Sequence, residues 1–273
     1  MTLARTGSDA MASPVKLSAI VITMNNERTI ARCIESLEWA DEIIVLDSGS
    51  TDRTPEICGA LGARVQVSAD WPGHGPQKNR ALDLATGEWV ISIDSDEWIT
   101  PALRGEIERA IRSAGDDHGY ALPRRSSFCG RYMRHSGWWP DYVVRLFRRT
   151  SGRFTDDHTH ERLVVGGRIR KLREPILHEA IANLDQMLVK MNAYSSASAQ
   201  ARAAGGGRAS LMTAIVHGAW TFFRTYVLRL GFLDGREGFM LAVANAEGSY
   251  YRYLKLMQLA KERHDERQAP RER

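Results

Sequence analysis

The sequence predicts an α/β fold: a doubly wound, mostly parallel β-sheet with a C-terminal helical extension. Short apolar runs rich in β-branched residues occur at four places and indicate buried strands: 17–23, 42–47, 63–67 and 88–94. Helical patterns separate these runs, and strands that alternate with helices of this length form parallel sheets. From about residue 183 onward the pattern is helical. The first part of the chain therefore supplies the sheet, and the last third supplies the extension.

Helix signals support the connections between these strands. The first connection carries apolar residues at helical spacing: Ile30, Cys33, Ile34 and Leu37. In the second, Thr54 precedes a proline and is predicted to be the N-cap of a helix. The third predicts a helix over 76–87 that ends at a glycine. After the fourth strand, Thr100 precedes another proline and predicts one more helix.

Composition bounds the kinds of site that the chain can hold. It has 273 residues, a net charge of +4 and a hydrophobic share of 43%, enough for one large domain with an appendage. Arginines cluster within 124–173, which favours anionic ligands; the plainer interpretation is a solvated basic face. Three widely spaced cysteines without a CxxC pair indicate neither a disulfide framework nor a zinc site. A reducing cytoplasm fits this cysteine pattern.

Changes in composition along the chain predict its organisation. Residues 1–15 contain no apolar signal segment, so we expect a disordered leader and a cytoplasmic protein. The remaining predicted parts are a sheet domain at 16–182 with halves at 16–115 and 116–182, a helical extension at 183–262 and a charged tail at 263–273.

Polar residues follow three of the predicted strands. They include Thr23, Asn25 and Glu27 after the first strand, Asp47 after the second, and the Asp94-Ser95-Asp96 triplet after the fourth. Ligands bind beyond the carboxyl ends of parallel strands, so these side chains predict a binding site at one edge of the sheet. The alternative is that they only cap helices, but caps do not require an acidic triplet after a buried strand.

Three segments resemble family two glycosyltransferases, which bind nucleotide sugars with the GT-A fold. They are AIVITMNNE (19–27), IIVLDSGSTDRT (43–54) and QKNRALDLATGEWVISIDSDE (77–97). Four later segments are similar to a bacterial subgroup that glucosylates the lipopolysaccharide inner core: GWWPDYVVRLFRR (137–149), GRFTDDHTHERL (152–163), ILHEAI (176–181) and FLDGREGF (232–239). The resemblance implies that 16–115 is the nucleotide-sugar half and 116–182 the acceptor half.

The resemblance implies a divalent metal, Mg²⁺ or Mn²⁺, that neutralises the leaving diphosphate. Carboxylates two residues apart on an extended backbone point to one side, and hard cations prefer carboxylate oxygens. The family's roles place Asp96 on the metal and Asp94 on the ribose or the metal. His178 would complete the metal shell; the alternative is a core histidine that ends a strand.

The resemblance also assigns the nucleotide contacts. Asp47 would bind the base of a UDP-sugar, and Thr23, Asn25 and Glu27 would line the nucleotide pocket. Lys78 would reach the base or the phosphates; its alternative is an ordinary exposed helix lysine.

The implied reaction inverts the anomeric carbon, and a carboxylate deprotonates the acceptor hydroxyl. Glu161 is predicted to be this base, with Asp157 the second candidate and Asp156 also in the segment. A zinc site formed by His158, His160 and His178 is disfavoured, because no HExxH motif is present.

Acceptor contacts are predicted for Trp138, Trp139 and Arg145, since aromatic rings stack on sugars; either tryptophan could instead anchor the core. We expect transfer of a hexose, such as glucose from UDP-glucose, onto a cell-envelope glycan or lipopolysaccharide core. Two alternatives are a transferase acting on another lipid-linked acceptor and a sugar-phosphate nucleotidyltransferase, whose glycine-rich signature is missing. No nucleic-acid partner is expected, because paired aromatic and basic strand motifs are absent.

The helical third carries an apolar segment at 211–223 that is too short to span a bilayer. Arg224 and Arg229 follow it closely. This pattern is typical of helices that rest on anionic lipid, so we expect contact with the cytoplasmic face of the inner membrane. A helical cap packed on the sheet domain and a dimer face are the alternatives.

Overall fold

A computed structural model describes residues 16–156 and 161–268 of the chain. The chain forms two compact units. The first unit comprises Met1–Leu122 and Val144–Glu174, and the second comprises Pro123–Val143 and Pro175–Arg273.

Parallel strands form the N-terminal part of the first unit. They are β1 (Leu17–Thr23), β2 (Glu42–Asp47), β3 (Arg64–Val67) and β4 (Trp89–Asp94), which pair in the order β3-β2-β1-β4. The helices are α1 (Ile30–Glu35), α2 (Thr54–Ala60), α3 (His74–Asp83) and, after the short β5 (Glu97–Trp98), α4 (Pro101–Arg112). The alternation of strand and helix confirms the predicted α/β class.

The sheet becomes mixed as the chain continues. The next strands are β6 (Asp117–Phe128), β7 (Arg131–Tyr132), β8 (Asp141–Arg148), β9 (Gly152–Phe154), β10 (Leu163–Val165), β11 (Arg168–Lys171) and β12 (Ile176–Ile181). In the first unit β8 pairs antiparallel with β4, and β11 pairs parallel with the start of β6. In the second unit β12 runs parallel to the end of β6, and β7 runs antiparallel to it. The sheet is therefore mostly parallel, as predicted.

One core cluster of the first unit lies between α3 and the sheet. Its buried side chains include Ile20, Ile44, Leu46, Leu82, Val90, Phe147 and Phe154. Asn79 of α3 fastens the helix to β9, because its side chain donates to Phe154 O and accepts from Phe154 N, each at 2.9 Å. At Gly75 the backbone of α3 approaches Thr155 so closely that a Cβ would lie 1.8 Å from its carbonyl oxygen. These contacts fix α3 against the chain that follows β9.

Three helices make up most of the second unit. They are α5 (Leu184–Ala204), α6 (Leu211–Phe223) and α7 (Gly235–Gln268), with a π-helical turn at Arg224–Leu228 and a 3-10 turn at Gly231–Asp234. Asp234 is buried and accepts from the backbone nitrogens of Arg134 and His135 at 3.0 and 2.9 Å. The C-terminal helical extension is confirmed, whereas the predicted domain limits stay predictions. Within the described ranges, none of the helices combines the length and the apolar character needed to cross a bilayer.

Two helix predictions were wrong at their ends. Helix α2 begins at Thr54 itself, and Arg53 takes the N-cap position; the Thr54 hydroxyl donates to Asp52 Oδ1 at 2.6 Å. Helix α3 stops at Asp83 rather than continuing to 87. The nitrogen of Thr86 instead donates to Glu42 Oε1 at 2.6 Å, so a contact with β2 replaces the last helical turn.

The contact at Gly75 gives a first prediction. We expect Gly75→Ala to lower the free energy of unfolding by about 1–3 kcal/mol, because the added methyl group overpacks the α3 interface with Thr155. Urea denaturation followed by circular dichroism measures this change.

Gly59→Ala in α2 is the matched control, since among the described residues no atom beyond its own stretch of helix lies within 4 Å of its added Cβ. It is expected to be neutral or to stabilise the fold by up to about 1 kcal/mol, as alanine favours helix. Equal losses in the two variants would contradict the prediction.

Candidate active site

The polar strand ends meet at one edge of the sheet in the first unit. Strand register places Thr23 opposite Asp47, and it places Ile22, the neighbour of Thr23, opposite Asp94. Because the three strands are parallel and adjacent, their carboxyl ends open on the same side. The predicted binding edge is therefore a continuous feature of one unit.

The loops after β1 and β2 are fastened to each other. Asn25 has a left-handed backbone (φ 54°), its nitrogen donates to Ser50 Oγ at 2.8 Å, and its side-chain oxygen accepts from Thr51 N at 2.8 Å. Asp47 is buried and accepts from the nitrogens of Gly49 and Ser50 at 3.0 and 2.8 Å. Asn25 and Asp47 therefore shape these two loops, and their predicted roles, lining the nucleotide pocket and binding the base, stay predictions.

Glu27 joins the same loop pair from the β1 side. Its nitrogen donates to Asp52 Oδ2 at 3.1 Å, and its carboxylate accepts from Arg53 N at 3.3 Å. Thr23 is buried at the end of β1, and its carbonyl accepts from Ser48 N at 2.9 Å. All four predicted nucleotide-pocket residues therefore belong to one hydrogen-bonded group of loops.

Asp94 lies between two buried cations. Lys78 Nζ is 2.9 Å from Asp94 Oδ1, and Arg145 Nη2 donates to Asp94 Oδ2. Burial alone would raise the pKa of the Asp94 carboxyl, but the charges of Arg145 and Lys78 outweigh it and hold that pKa well below its usual range. Lys78 is 4% exposed, so it is not the ordinary surface lysine of the alternative interpretation.

Arg145 also holds Glu97, which the sequence analysis gave no role. Its Nη2 donates to Glu97 Oε1 at 2.7 Å, and Glu97 Oε2 accepts from Asp94 N at 3.1 Å. Glu97 is fully buried and Arg145 is 6% exposed. The contacts described for Arg145 are therefore with the acidic turn, which we define as residues 94–97 from the end of β4 to the start of β5. Its predicted contact with the acceptor stays a prediction. Two signals in the sequence could have indicated this ion pair. Glu97 directly follows the Asp94-Ser95-Asp96 triplet, and Arg145 interrupts the apolar run of β8.

Glu161 lies on the other side of Lys78. Its Oε1 accepts from Lys78 Nζ at 3.1 Å, and about a quarter of its side chain is exposed (23%). Lys78 therefore contacts both Asp94, a predicted metal ligand, and Glu161, the predicted base. Asp157 lies outside the described residues, as do the two histidines of the zinc alternative, His158 and His160.

Three residues of the predicted metal and acceptor sites belong to the second unit: His178, Trp138 and Trp139. His178 Nδ1 is 2.9 Å from Ser126 Oγ, on neighbouring strands. Trp138 packs edge-on against Phe128, with 6.1 Å between ring centroids, and Arg125 Cζ lies 4.7 Å from the ring centroid of Trp139. Trp138 thus matches the core-anchor alternative at least in part, and both tryptophans remain half-buried.

The acidic turn is suited to bind a divalent metal ion that is also coordinated by the substrate. Within the described ranges, no three histidine, cysteine or acidic side chains form a metal cluster. Asp94 and the half-buried Asp96 nevertheless lie two residues apart at the turn between β4 and β5. Mg²⁺ is commonly held by one or two carboxylates together with substrate phosphates, and this donor set fits that pattern. Lys78 and Arg145 would then compete with the cation for the oxygens of Asp94.

The buried charge group yields a prediction with a defined pH dependence. The ion pairs of Asp94 stabilise the fold above its unfolded pKa of about 3.9, and this stability is lost as pH falls through the lower folded pKa. We expect Arg145→Met to cost about 3–5 kcal/mol of unfolding free energy near neutral pH, because the buried Glu97 and the partly exposed Asp94 each lose an ion pair, although Asp94 keeps Lys78. Acidification lets the variant's carboxylates take up protons, so the deficit should shrink towards pH values of about 4–5.

Urea denaturation of both proteins near neutral and at acidic pH measures that difference. Arg80→Met, which removes the exposed partner of Asp70, is the control and should change stability little at either pH. A deficit of the Arg145 variant that grows on acidification would show that the charge group is not what the substitution disturbs.

Comparisons with known proteins identify the family of the chain. The model of the glycosyl transferase family 2 domain matches residues 18–165, more than half of the chain. An uncharacterized glycosyltransferase of Rickettsia felis is 31% identical over 253 residues, covering 88% of this chain and 89% of the relative. The lipopolysaccharide core biosynthesis glycosyltransferase LpsC of Rhizobium meliloti is 29% identical over 264 residues, covering 91% of this chain and 94% of LpsC.

Two solved structures are also similar to the chain. The S. aureus TarS structure has a TM-score of 0.47 and 20% identity; the match spans 64% of this chain and 39% of TarS. Glucosyl-3-phosphoglycerate synthase from Mycobacterium tuberculosis, in complex with Mn²⁺, UDP and phosphoglyceric acid, has a TM-score of 0.36 and 29% identity, over 43% of this chain and 44% of the synthase.

The family match covers the edge formed by β1, β2 and β4, the acidic turn, Lys78, Arg145 and Glu161. The chain belongs to glycosyl transferase family 2 and is a glycosyltransferase with the GT-A fold.

Proposed function

We propose that the enzyme transfers a hexose from a UDP-sugar to a hydroxyl of a cell-envelope glycan, with inversion at the anomeric carbon. The lipopolysaccharide core is the proposed acceptor class, and the similarity to LpsC along nearly the whole chain supports it. The observation that carries the reaction is the position of Lys78 between Asp94 and Glu161. The ammonium group of Lys78 thereby links Asp94, on the side of the proposed leaving group, to Glu161, the proposed base. Family membership favours this reaction over the nucleotidyltransferase alternative.

The donor is proposed to bind along the carboxyl edge of β1, β2 and β4. Thr23, Asn25, Glu27 and Asp47 lie on the hydrogen-bonded loops there and are suited to hold the nucleoside. Lys78 supplies a positive charge next to the acidic turn, where a diphosphate would need one. Glucose is the proposed sugar.

Asp96 and Asp94 are proposed to hold Mg²⁺ or Mn²⁺, with His178 as a further candidate ligand. When bound, the cation neutralises charge that grows on the diphosphate as the glycosidic bond breaks. Arg145 and Glu97 keep the acidic turn in place from behind, since both are buried and bonded to Asp94. This arrangement supports a holding role for Arg145 better than contact with the acceptor.

Glu161 is proposed to accept the proton of the attacking hydroxyl. The acceptor oxygen then bonds to the anomeric carbon while the bond from that carbon to the diphosphate oxygen breaks. A base needs a free oxygen towards the substrate, and the partial exposure of Glu161 supports this. Lys78 orients the carboxylate of Glu161. A diphosphate that attracted Lys78 would free this carboxylate from its ion pair. Trp138 and Trp139 are the proposed stacking surface for acceptor sugars.

The proposed place of work is the cytoplasmic face of the inner membrane, where a lipid-linked acceptor is presented. A transferase acting on another lipid-linked acceptor is the remaining alternative. A mass-spectrometric screen of nucleotide sugars, with and without cell-envelope lipid extracts, tests both donor and acceptor. Transfer from UDP-glucose to a lipopolysaccharide core acceptor supports the proposal, and transfer only to a different lipid-linked acceptor supports the alternative.

The proposed metal gives a prediction about Asp96. We expect Asp96→Asn to lower turnover by orders of magnitude while the fold survives, because an amide is a weaker ligand for a hard cation. UDP release in the presence of Mg²⁺ or Mn²⁺ measures turnover. Asp83→Asn is the control, since Asp83 is exposed on α3 and pairs with Arg153. Full wild-type turnover in excess EDTA would exclude the metal requirement.

The proposed base gives a second prediction. Glu161→Gln should slow sugar transfer by about 10²–10⁴-fold, the usual contribution of a positioned base, while donor affinity changes little. Single-turnover transfer and UDP-sugar titration measure the two quantities separately. Asp157→Asn is the comparison variant: if it abolishes transfer while Glu161→Gln remains near wild type, Asp157 is the base. If both variants fail to bind donor, the segment belongs to the donor site instead.

A further inference from the structure

Helix α6 is covered along one narrow stripe. Ala214 and Gly218 are its buried residues, one turn apart, and they face α7. At Gly218 the approach is close, since an added Cβ would lie 3.3 Å from Tyr250 Cβ and 3.4 Å from Ala246 O. Small residues thus allow α6 to lie against α7 while they occupy little of its circumference.

Apart from Thr213, His217 and Thr221, the rest of α6 is apolar, and most of it is exposed. The helix contains no acidic, lysine or arginine side chain. Six large apolar side chains are between 45% and 65% exposed: Leu211, Met212, Ile215, Val216, Trp220 and Phe223. A helix that is hydrophobic all round is normally buried, in a protein core or in lipid. Within the second unit, α6 leaves most of that surface uncovered.

The same character continues through the two turns after α6. Their exposed apolar side chains, between 41% and 56% exposed, are Val227, Leu228, Leu230, Phe232 and Leu233. We call these eleven side chains of α6 and the turns the docking face. Soluble proteins rarely expose so many large apolar groups together unless the surface binds something.

Within the chain segment that carries the docking face, the exposed charges have one sign, although Glu247 on the neighbouring α7 is also exposed. Arg208 precedes α6, Arg224 and Arg229 follow it, and all three are exposed. The acids between 205 and 240 are Asp234 and Glu237, and both are buried, at 1% and 9% exposure. The accessible surface of this segment therefore combines apolar side chains with positive charge.

We infer that the docking face lies in the interfacial layer of a bilayer that contains anionic phospholipid. Apolar side chains would enter the boundary between headgroups and acyl chains, and the arginines would meet the lipid phosphates. The 13 residues of α6 extend about 20 Å, so the helix lies in the plane of the layer rather than across it. The inference deepens the proposed membrane location by naming the contact surface and the lipid class, and it does not depend on the chemistry of transfer.

A second copy of the chain fits this surface less well. In a two-fold pair the same patch faces itself, so the arginines beside it would approach their own counterparts. The buried state of Asp234 and Glu237 leaves the segment without an exposed acid to balance them. An anionic lipid surface supplies the missing charge, and hydrocarbon covers the apolar groups at the same time.

Vesicle sedimentation of the full chain, without donor or acceptor, tests the inference. We expect binding to vesicles of phosphatidylcholine with phosphatidylglycerol, weaker binding to phosphatidylcholine alone, and loss of most of the difference at high salt. These measurements use the wild-type protein and so do not depend on the folding of any variant. Equal binding to both vesicle types, or binding to neither, would overturn the inference.

Two double variants then locate the contact. Trp220→Ser with Phe223→Ser removes apolar groups, and Arg224→Glu with Arg229→Glu reverses charge; each should weaken binding at least about tenfold. The matched controls are Val164→Ser and Arg64→Glu, exposed positions in the first unit that should bind like wild type. Wild-type binding by both double variants would overturn the assignment of this face.

Sedimentation equilibrium of the free protein completes the test. A stable dimer that the Trp220→Ser and Phe223→Ser changes convert to a monomer would overturn the inference and assign the face to a second copy. Release of UDP from UDP-sugar, measured with a soluble core-glycan acceptor and without vesicles, separates this result from the proposed function. Failure of vesicle binding with intact UDP release would refute the docking face alone, and the reverse result would refute the proposed reaction alone.

Discussion

The rest of the active site depends on a cluster of ion pairs around Asp94, in which positively and negatively charged side chains alternate. Lys78 and Arg145 each contact Asp94, and each also holds a second carboxylate, Glu161 or Glu97. Charges removed from water are costly unless each finds an opposite partner, so the group is stable only when complete. The fold therefore cannot place the acidic turn without also placing the lysine and the arginine.

Helix α3 satisfies this requirement through its packing. Gly75 permits a close approach to the chain after β9, and Asn79 fastens the helix to Phe154 by two hydrogen bonds. Lys78 lies between these two contacts on the same helix, so its amine is delivered to Asp94 and Glu161 with little freedom. Such preorganisation lets fixed charges act on a reaction without reorganising during it.

The second unit is built under a different constraint. Its helices bury a core of small and apolar residues, including Met187, Leu241 and Ala244, yet α6 keeps a large apolar surface outside that core. Apolar surface in water is unfavourable in proportion to its area, so a partner such as the inferred lipid surface would remove an exposure that the second unit itself leaves uncovered. The adjoining arginines then select the charge of that partner.

The sequence by itself determined the local elements and the polar edge of the sheet. Apolar β-branched runs gave β1, β2 and β4 within one residue, and the acidic triplet marked the turn at Asp94, because strand periodicity and burial are written in neighbouring residues. Only the tertiary structure decided that Lys78 meets Glu161, 83 residues away, and that Arg145 holds Asp94 and Glu97. It also decided that α3 stops at Asp83, where a contact with Glu42 replaces the last turn. Ion pairs and helix ends of this kind depend on which distant segments the packing brings together, and a local sequence pattern does not specify those segments.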